Sequence, residues 1–338
     1  MPKICIVPQV SGVGGMVSFH GRLLAGLAQR GIQVCSDLDD PAYDAVLVIG
    51  GTRRLPGLWR ARRRGVRIVQ RLNGMNWMHR RRWSGLKYAL RSEYGNLVLN
   101  TIRTRLASRI IYQSNCARDW WERVYGPTRP AWKVVYNAVD LAQYSPDGPG
   151  ERPTDRQRLL MVEGSLGGGY DIGLDMALRM GEILHQVHHQ AVELVVVAKV
   201  PPGIQAAAQH KAPIPLTFMG KLPGEQIPQV DRSAHLIFSA SIDAACPNSI
   251  IEALACGLPV VAFDTGALPE LVTGDAGRVV PYRGDPWKLD PPDIDGLARG
   301  AMELLADQER FRKGARQRAE EAFGLDTMVT EYLACLLG

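Results

Sequence analysis

The sequence predicts an α/β protein of two successive domains, each a parallel sheet covered by helices on both faces. Three observations predict it. Short apolar runs of strand length alternate with longer segments of helical spacing along the whole chain. One charged stretch rich in Pro and Gly, residues 140–157, interrupts that alternation near the middle. The length of 338 residues suits two domains of roughly 100–200 residues each.

Residues 3–8 (KICIVP) open the chain as a buried strand, followed by the glycine loop SGVGGM at 11–16. Phe19, Leu23, Leu24 and Leu27 then recur at helical spacing up to Gly31. Further strands fit 45–49, 66–70, 109–113 and 133–136, with helical patterns between most of them. Beyond the linker, strands fit 158–162, 192–197, 215–218, 235–238, 258–262 and 278–280. Helices fit 171–187, 224–233, 248–256, 292–306 and 308–322, and a last one 326–337. Runs that are apolar throughout suit strands covered on both faces. The domains are therefore expected at 1–150 and 157–324.

Composition narrows the class. With 46% hydrophobic and 22% charged residues, the chain is expected to be globular rather than disordered. No apolar run approaches the roughly 20 residues of a membrane span. The apolar start is too short for a secretory leader. Cys5, Cys35, Cys116, Cys246, Cys256 and Cys335 are scattered without zinc spacing, which suits reduced thiols in a cytoplasmic protein. The net charge of +6 conceals a division. Residues 1–150 hold 23 basic and 9 acidic side chains, a balance of +14, against 17 and 25, a balance of −8, in the remainder. A polyanion or membrane surface is the expected partner of the first half.

Two stretches carry candidate chemistry. Gly12, Gly14 and Gly15 stand between strand and helix, but Val17 breaks the dinucleotide fingerprint. The loop reads either as an approach for an anion to backbone amides or as a tight turn. The second stretch is residues 243–272, DAACPNSIIEALACGLPVVAFDTGALPELV. Pro247 and Asn248 precede a helix with Ile250, Ile251, Leu254 and Ala255 on its apolar face and Gly257 at its end. Amides at 248–251 suit a diphosphate, and Glu252 suits the vicinal hydroxyls of a ribose. Ser249-x-x-Glu252 equally reads as a capping box that needs no ligand. His185, His188 and His189 have a spacing that can chelate metal or complement a helix dipole, and no metal is expected.

The segment PNSIIEALACGLPVVAFDTGALPELV resembles the donor-binding segment of family 4 glycosyltransferases, which have the GT-B fold. SGVGGM, RIIYQSNCARDWW at 109–121, VVYNAVDLAQYSP at 134–146 and GRVVPY at 277–282 extend the likeness across the chain. In the crossover stretch Asn137, Val139 and Asp140 match. The resemblance implies two Rossmann-like domains with parallel sheets facing a central cleft. It places acceptor on the first domain, donor on the second, and the final helix at 325–338 back on the first. It also implies transfer of a sugar from a UDP- or GDP-sugar to a hydroxyl of a glycan or lipid-linked acceptor, with retention, without metal or a permanent cofactor.

By the same resemblance Glu252 binds ribose, Asn248, Ser249 and Ile250 meet the donor phosphates or sugar, and Gly14 and Gly15 line the cleft. The chain departs from the family at three places. Ala244 stands at the first Glu of the Glu-x7-Glu motif, with Asp243 one residue early as a substitute. Ser165 and Tyr170 stand at the Arg and Lys that grip the diphosphate. There Gly167, Gly168 and Gly169 offer amides, while Lys199 and Lys221 are either replacement charges or solvated surface residues. Asn73 replaces a cleft His and can hydrogen-bond a hydroxyl but not transfer a proton. The implied mechanism is a front-face reaction in which the leaving diphosphate deprotonates the acceptor and the protein positions groups and stabilises charge.

The clusters RARRRGVR (60–67) and HRRRW (79–83) mix arginines with Trp59, Trp77 and Trp83. Arg62, Arg63, Arg80 and Arg81 are expected to form an acceptor or membrane face, the alternative being a solvated helix face. No nucleic-acid module is recognisable. The expected location is cytoplasmic, with peripheral contact to an anionic membrane. A phosphorylase or epimerase would need motifs the chain lacks. The other reading is a non-catalytic relative that binds or scaffolds.

Overall fold

The computed structural model describes residues 1–12, 14–81, 85–167, 171–239 and 241–338. They form two units, Met1–Ala138 with Leu325–Gly338, and Val139–Gly324. The division precedes the Pro- and Gly-rich stretch, which lies wholly in the second unit, whereas the sequence had suggested a boundary near 150. Side chains of the second unit bind that stretch through its carbonyls. Arg232 donates to Ser145 O at 3.0 Å and Pro149 O at 2.7 Å. Arg316 donates to Leu141 O, Tyr144 O and Ala255 O.

In the first unit the elements run β1 (Lys3–Val7), α1 (Gly15–Gln29), β2 (Gln33–Cys35), β3 (Ala45–Ile49), α2 (Leu55–Arg63) and β4 (Arg67–Leu72). They continue with α3 (Leu86–Thr101), β5 (Arg109–Tyr112), α4 (Asn115–Tyr125) and β6 (Ala131–Val134). The sheet has the order β2-β1-β3-β4-β5-β6, and every pairing is parallel. All five residues of β3 are buried, as a strand covered on both faces requires. The short β2 has no apolar run to announce it, and β6 lies slightly earlier than its apolar residues suggest. A π turn, Ile102–Leu106, continues α3.

The second unit runs β7 (Gln157–Ser165), α5 (Ile172–Gln186), β8 (Val192–Lys199), α6 (Pro202–Lys211), β9 (Leu216–Gly220), α7 (Ile227–Arg232) and β10 (Leu236–Phe238). It closes with α8 (Asn248–Ala255), β11 (Val260–Phe263), α9 (Leu268–Leu271), β12 (Gly277–Val280), α10 (Ile294–Ala306) and α11 (Gln308–Ala322). Its sheet order is β12-β11-β10-β7-β8-β9, again parallel. The carboxyl ends of β7, β8 and β10 therefore emerge on one edge, where open parallel sheets bind ligands.

Helix α12 (Leu325–Leu337) packs into the first unit. Met328, Val329, Tyr332, Cys335 and Leu336 join Phe19, Leu23, Leu27 and the strand residues Ile4, Leu47 and Val69 in one buried cluster. Gly26 lets the two helices approach, because a Cβ there would lie 2.4 Å from Val329 Cγ2. No helix among the described residues is long and apolar enough to cross a membrane.

Candidate functional site

The carboxyl edge of the second sheet is built around α8. Its N-cap is Pro247, whose side chain offers no acceptor to the helix. The first ladder bond runs from Ile251 N to Pro247 O at 3.4 Å. Ser249 is thus inside the helix rather than at its N-cap, and the capping-box reading fails. The amides of Asn248, Ser249 and Ile250 lie ahead of the ladder, at the positive end of the helix dipole, where an anion is stabilised. Glu252 lies on the same helix, only 7% exposed.

Beneath Glu252 lies Asp231 of α7, fully buried. Burial pushes its carboxyl well above the usual range, and the charge of Glu252 adds to this while Arg232 opposes it. Neither Asp231 oxygen has a hydrogen-bond partner among the described residues. Burial and the Asp231 charge push the Cys256 thiol up likewise.

Glu163, near the end of β7, accepts from Ser241 Oγ at 3.4 Å. Its carboxyl is raised to about 7, chiefly by burial; the Ser241 bond opposes this and the charge of Asp243 adds a smaller push. Asp243 thus faces a second carboxyl. Ala244 contributes backbone, accepting from Ala267 N at 2.9 Å. Gly266, at φ +57, leaves room for it: a Cβ there would meet Ala244 O at 2.7 Å.

Ser165 ends β7 exposed and lies in register with Lys199 at the end of β8. Lys199 and Lys221 line one cavity of about 420 Å³ with Gln205 and Phe218. In the sheet order β9 is three strands from β10, roughly 14 Å at the usual strand spacing. Lys199 and Lys221 therefore come together, but at the sheet edge away from α8. Gly168, Gly169 and Tyr170 lie outside the described residues.

In the first unit, Gly12 and Gly14 have φ +94 and +129, and nothing lies within 4 Å of where their Cβ atoms would be. The helix begins at Gly15 with Val17 N and Ser18 N bound to Gly14 O. This turn needs glycine for its backbone and leaves open space before it. Asn73 follows β4 in a polar network. Its Oδ1 accepts from Arg71 Nη1 and from Gln113 Nε2, both at 2.7 Å, and its carbonyl accepts from Trp121 Nε1 at 2.7 Å. Arg71 also donates to Asn137 Oδ1 at 2.7 Å and lies 3.7 Å from the Phe19 ring centroid. With the oxygen of Asn73 committed, its NH2 is the group suited to a sugar hydroxyl.

The arginines divide. Arg62 donates to Arg105 O, and Arg63 stacks 3.4 Å over exposed Trp59. Arg80 grips Glu93 through two bonds of 2.6 and 2.8 Å, while Arg81 is exposed. Trp77 is buried at 7%, which removes it from any basic–aromatic surface, and Trp83 lies outside the described residues. His185 Nδ1 engages Gln190 O at 3.1 Å. Among the described residues no three His, Cys, Asp or Glu side chains are grouped to hold a metal.

Sequence reasoning missed Glu163 and Ser241 at the second edge, and Arg71 and Gln113 at the first. A charge within an otherwise apolar strand was the available signal for Arg71.

Residues 158–307 match the family model described as glycosyl transferases group 1. Over this stretch, less than half of the chain, the sequence is similar to group 1 glycosyl transferases. Alpha-maltose-1-phosphate synthase of Mycolicibacterium smegmatis is 26% identical over 246 residues, covering 64% of this chain and 59% of that protein. The chain spans less than two thirds of the length of the first curated relatives it matches. WaaG, a glycosyltransferase involved in lipopolysaccharide biosynthesis, superposes with a TM-score of 0.74 at 13% identity, covering 99% of this chain and 100% of WaaG. Anabaena HepE, in complex with UDP and glucose, gives 0.69 at 16% identity, covering 99% of each chain. The fold is GT-B, and the family resemblance read from the sequence holds. The matched stretch runs from β7 to α10, and so contains Glu163, Asp231 and Glu252.

Proposed function

We propose that the chain is a metal-independent, retaining glycosyltransferase that moves a sugar from a nucleotide-sugar donor to a hydroxyl of a glycan or lipid-linked acceptor. The supporting observation is the start of α8, where the positive end of the helix dipole and buried Glu252 share one helix. The amides of 248–250 take the diphosphate and Glu252 takes the ribose hydroxyls. UDP is the first base to test, since HepE was solved with it; GDP is the second. In the reaction the bond from the anomeric carbon to the diphosphate oxygen breaks. The acceptor oxygen bonds to the same face, and its proton passes to the departing diphosphate. Helix amides stabilise the leaving charge. Asp243 and the Asn73 NH2 are assigned to sugar hydroxyls. Gly14 and Gly15 are assigned to donor binding from the first unit. The place of work is the cytoplasm, with peripheral contact to anionic membrane through the arginine-rich first unit.

The test is calorimetry with UDP- and GDP-sugars in the presence of chelator. Wild type is expected to bind one class, and Glu252→Ala to lose about tenfold or more in affinity while unfolding cooperatively. Undiminished affinity in that variant overturns the ribose assignment. A second reading, a non-catalytic binding protein, draws on Asn73, whose oxygen serves the internal network. Donor binding without donor hydrolysis or transfer to any acceptor would favour it.

A further inference from the structure

Helix α3 turns its apolar residues to solvent. At 3.6 residues per turn, Leu86, Leu90, Tyr94 and Leu97 form one stripe. They are 63, 63, 51 and 58% exposed. The inward face instead carries Ser92 and Asn96, 6 and 0% exposed.

Specific bonds hold this rotation. Asn76 N donates to Asn96 Oδ1 at 3.1 Å, and Asn96 Nδ2 donates to Asn76 O at 2.8 Å. Gln70 Nε2 donates to Leu99 O at 3.0 Å, and Glu93 is clamped by Arg80 and His79. Rolling the leucines inward would break these bonds and leave buried amides unsatisfied, so the outward stripe is a built feature.

Its surroundings are cationic. Lys87 and Arg91 are exposed beside the stripe, and Glu93, the helix's acidic residue, is neutralised by Arg80. The π turn that continues α3 carries exposed Arg105, whose carbonyl accepts from Arg62 of α2. Helix α2 adds exposed Arg63 and Trp59 to the same flank, while its Arg60 pairs with Asp39.

An exposed apolar stripe bordered by cations fits an interface that is apolar below and anionic above. A second copy of the chain would instead oppose cation to cation. We propose that the outer face of α3 docks the protein on the surface of an anionic phospholipid bilayer. Leu86, Leu90, Tyr94 and Leu97 enter the acyl boundary. Lys87, Arg91 and Arg63 of α2 meet lipid phosphates. The helix lies in the interface plane rather than crossing it. This docking rests on the peripheral membrane contact proposed above and gives it a surface, while the transferase chemistry stands or falls separately.

The test is flotation of the full chain with phosphatidylglycerol/phosphatidylcholine vesicles and with phosphatidylcholine alone. Wild type is expected to float with the former and to bind less as salt rises. The triple variant Leu86→Ser, Leu90→Ser, Leu97→Ser is expected to bind roughly a hundredfold more weakly. Its melting temperature should stay unchanged, because the substituted side chains are exposed. Absence of wild-type flotation overturns the proposal, as does undiminished flotation of the triple variant. A wild-type dimer that the triple variant dissociates, without flotation, assigns the face to a second copy instead.

Discussion

Arg71 donates to Asn73 Oδ1 at 2.7 Å from a guanidinium that is 1% exposed, so a strand-borne cation holds the amide at the carboxyl edge of the first sheet. Asn137 Oδ1 and the Phe19 ring take the rest of its fork. Removing Arg71 takes the charged donor from buried Asn137 Oδ1, while Asn73 Oδ1 keeps its bond from Gln113. Arg71→Met is expected to cost about 2–4 kcal/mol in urea unfolding. Arg71→Lys, which keeps the charge but loses the planar fork, should recover only part of it. A loss within 0.5 kcal/mol of zero would show the network to be energetically idle.

Glu163 makes stability depend on pH with a definite sign. Its carboxyl sits near pKa 7 in the folded chain, against an unfolded value of 4.5. Between those pH values the unfolded state ionises while the folded state keeps its proton. This group's contribution to stability therefore falls as pH rises from 4.5 to about 7 and is level above. Glu163→Gln should flatten the slope of melting temperature in that window. An unchanged slope would show that Glu163 titrates normally.

Asp231 follows the same sign. Its carboxyl is raised well above the usual aspartate range by burial and by Glu252, so at neutral pH the fold bears the cost of keeping a proton that the unfolded chain releases. Asp231→Asn is expected to stabilise at pH 7 by at least about 1 kcal/mol and by less at pH 4. Chemical unfolding at the two pH values separates this from a general effect of the substitution. Equal changes would place the burden elsewhere.

Gly26 tests the seat of α12. An alanine there would place Cβ 2.4 Å from Val329 Cγ2, and Val329 is a stiff, β-branched side chain inside a helix. Gly26→Ala should destabilise by about 1–3 kcal/mol, despite its better helix propensity. Adding Val329→Ala should restore part of the loss, a coupling that a double-mutant cycle measures directly.

The strands were largely legible, because parallel strands buried on both faces write themselves as apolar runs. The three-residue β2 has no such run. The α8 segment was legible as a helix start, but its cap was not: Ser249 and Glu252 have capping-box spacing, and only the backbone shows the helix opening at Pro247. Trp77 looked like part of a basic–aromatic surface because neighbours in sequence are not neighbours in exposure. The face of α3 was illegible for a related reason. Periodicity reveals an apolar stripe, whereas its direction is decided by Asn96 and Asn76, which are distant partners in sequence. Arg71 sits in β4 and Gln113 just past β5, in stretches that otherwise read as core, and nothing in either stretch alone says that they converge on Asn73.

Helix α12 has a consequence for synthesis. The first unit draws part of its core from residues 325–338, which leave the ribosome only after the whole second unit has emerged. The second unit is one continuous stretch of chain, Val139–Gly324. The first must wait, with Phe19, Leu23 and Leu27 uncovered, for a helix roughly 300 positions downstream. Order of folding thus runs against order of translation, and the part of the chain made first is the part most in need of a chaperone.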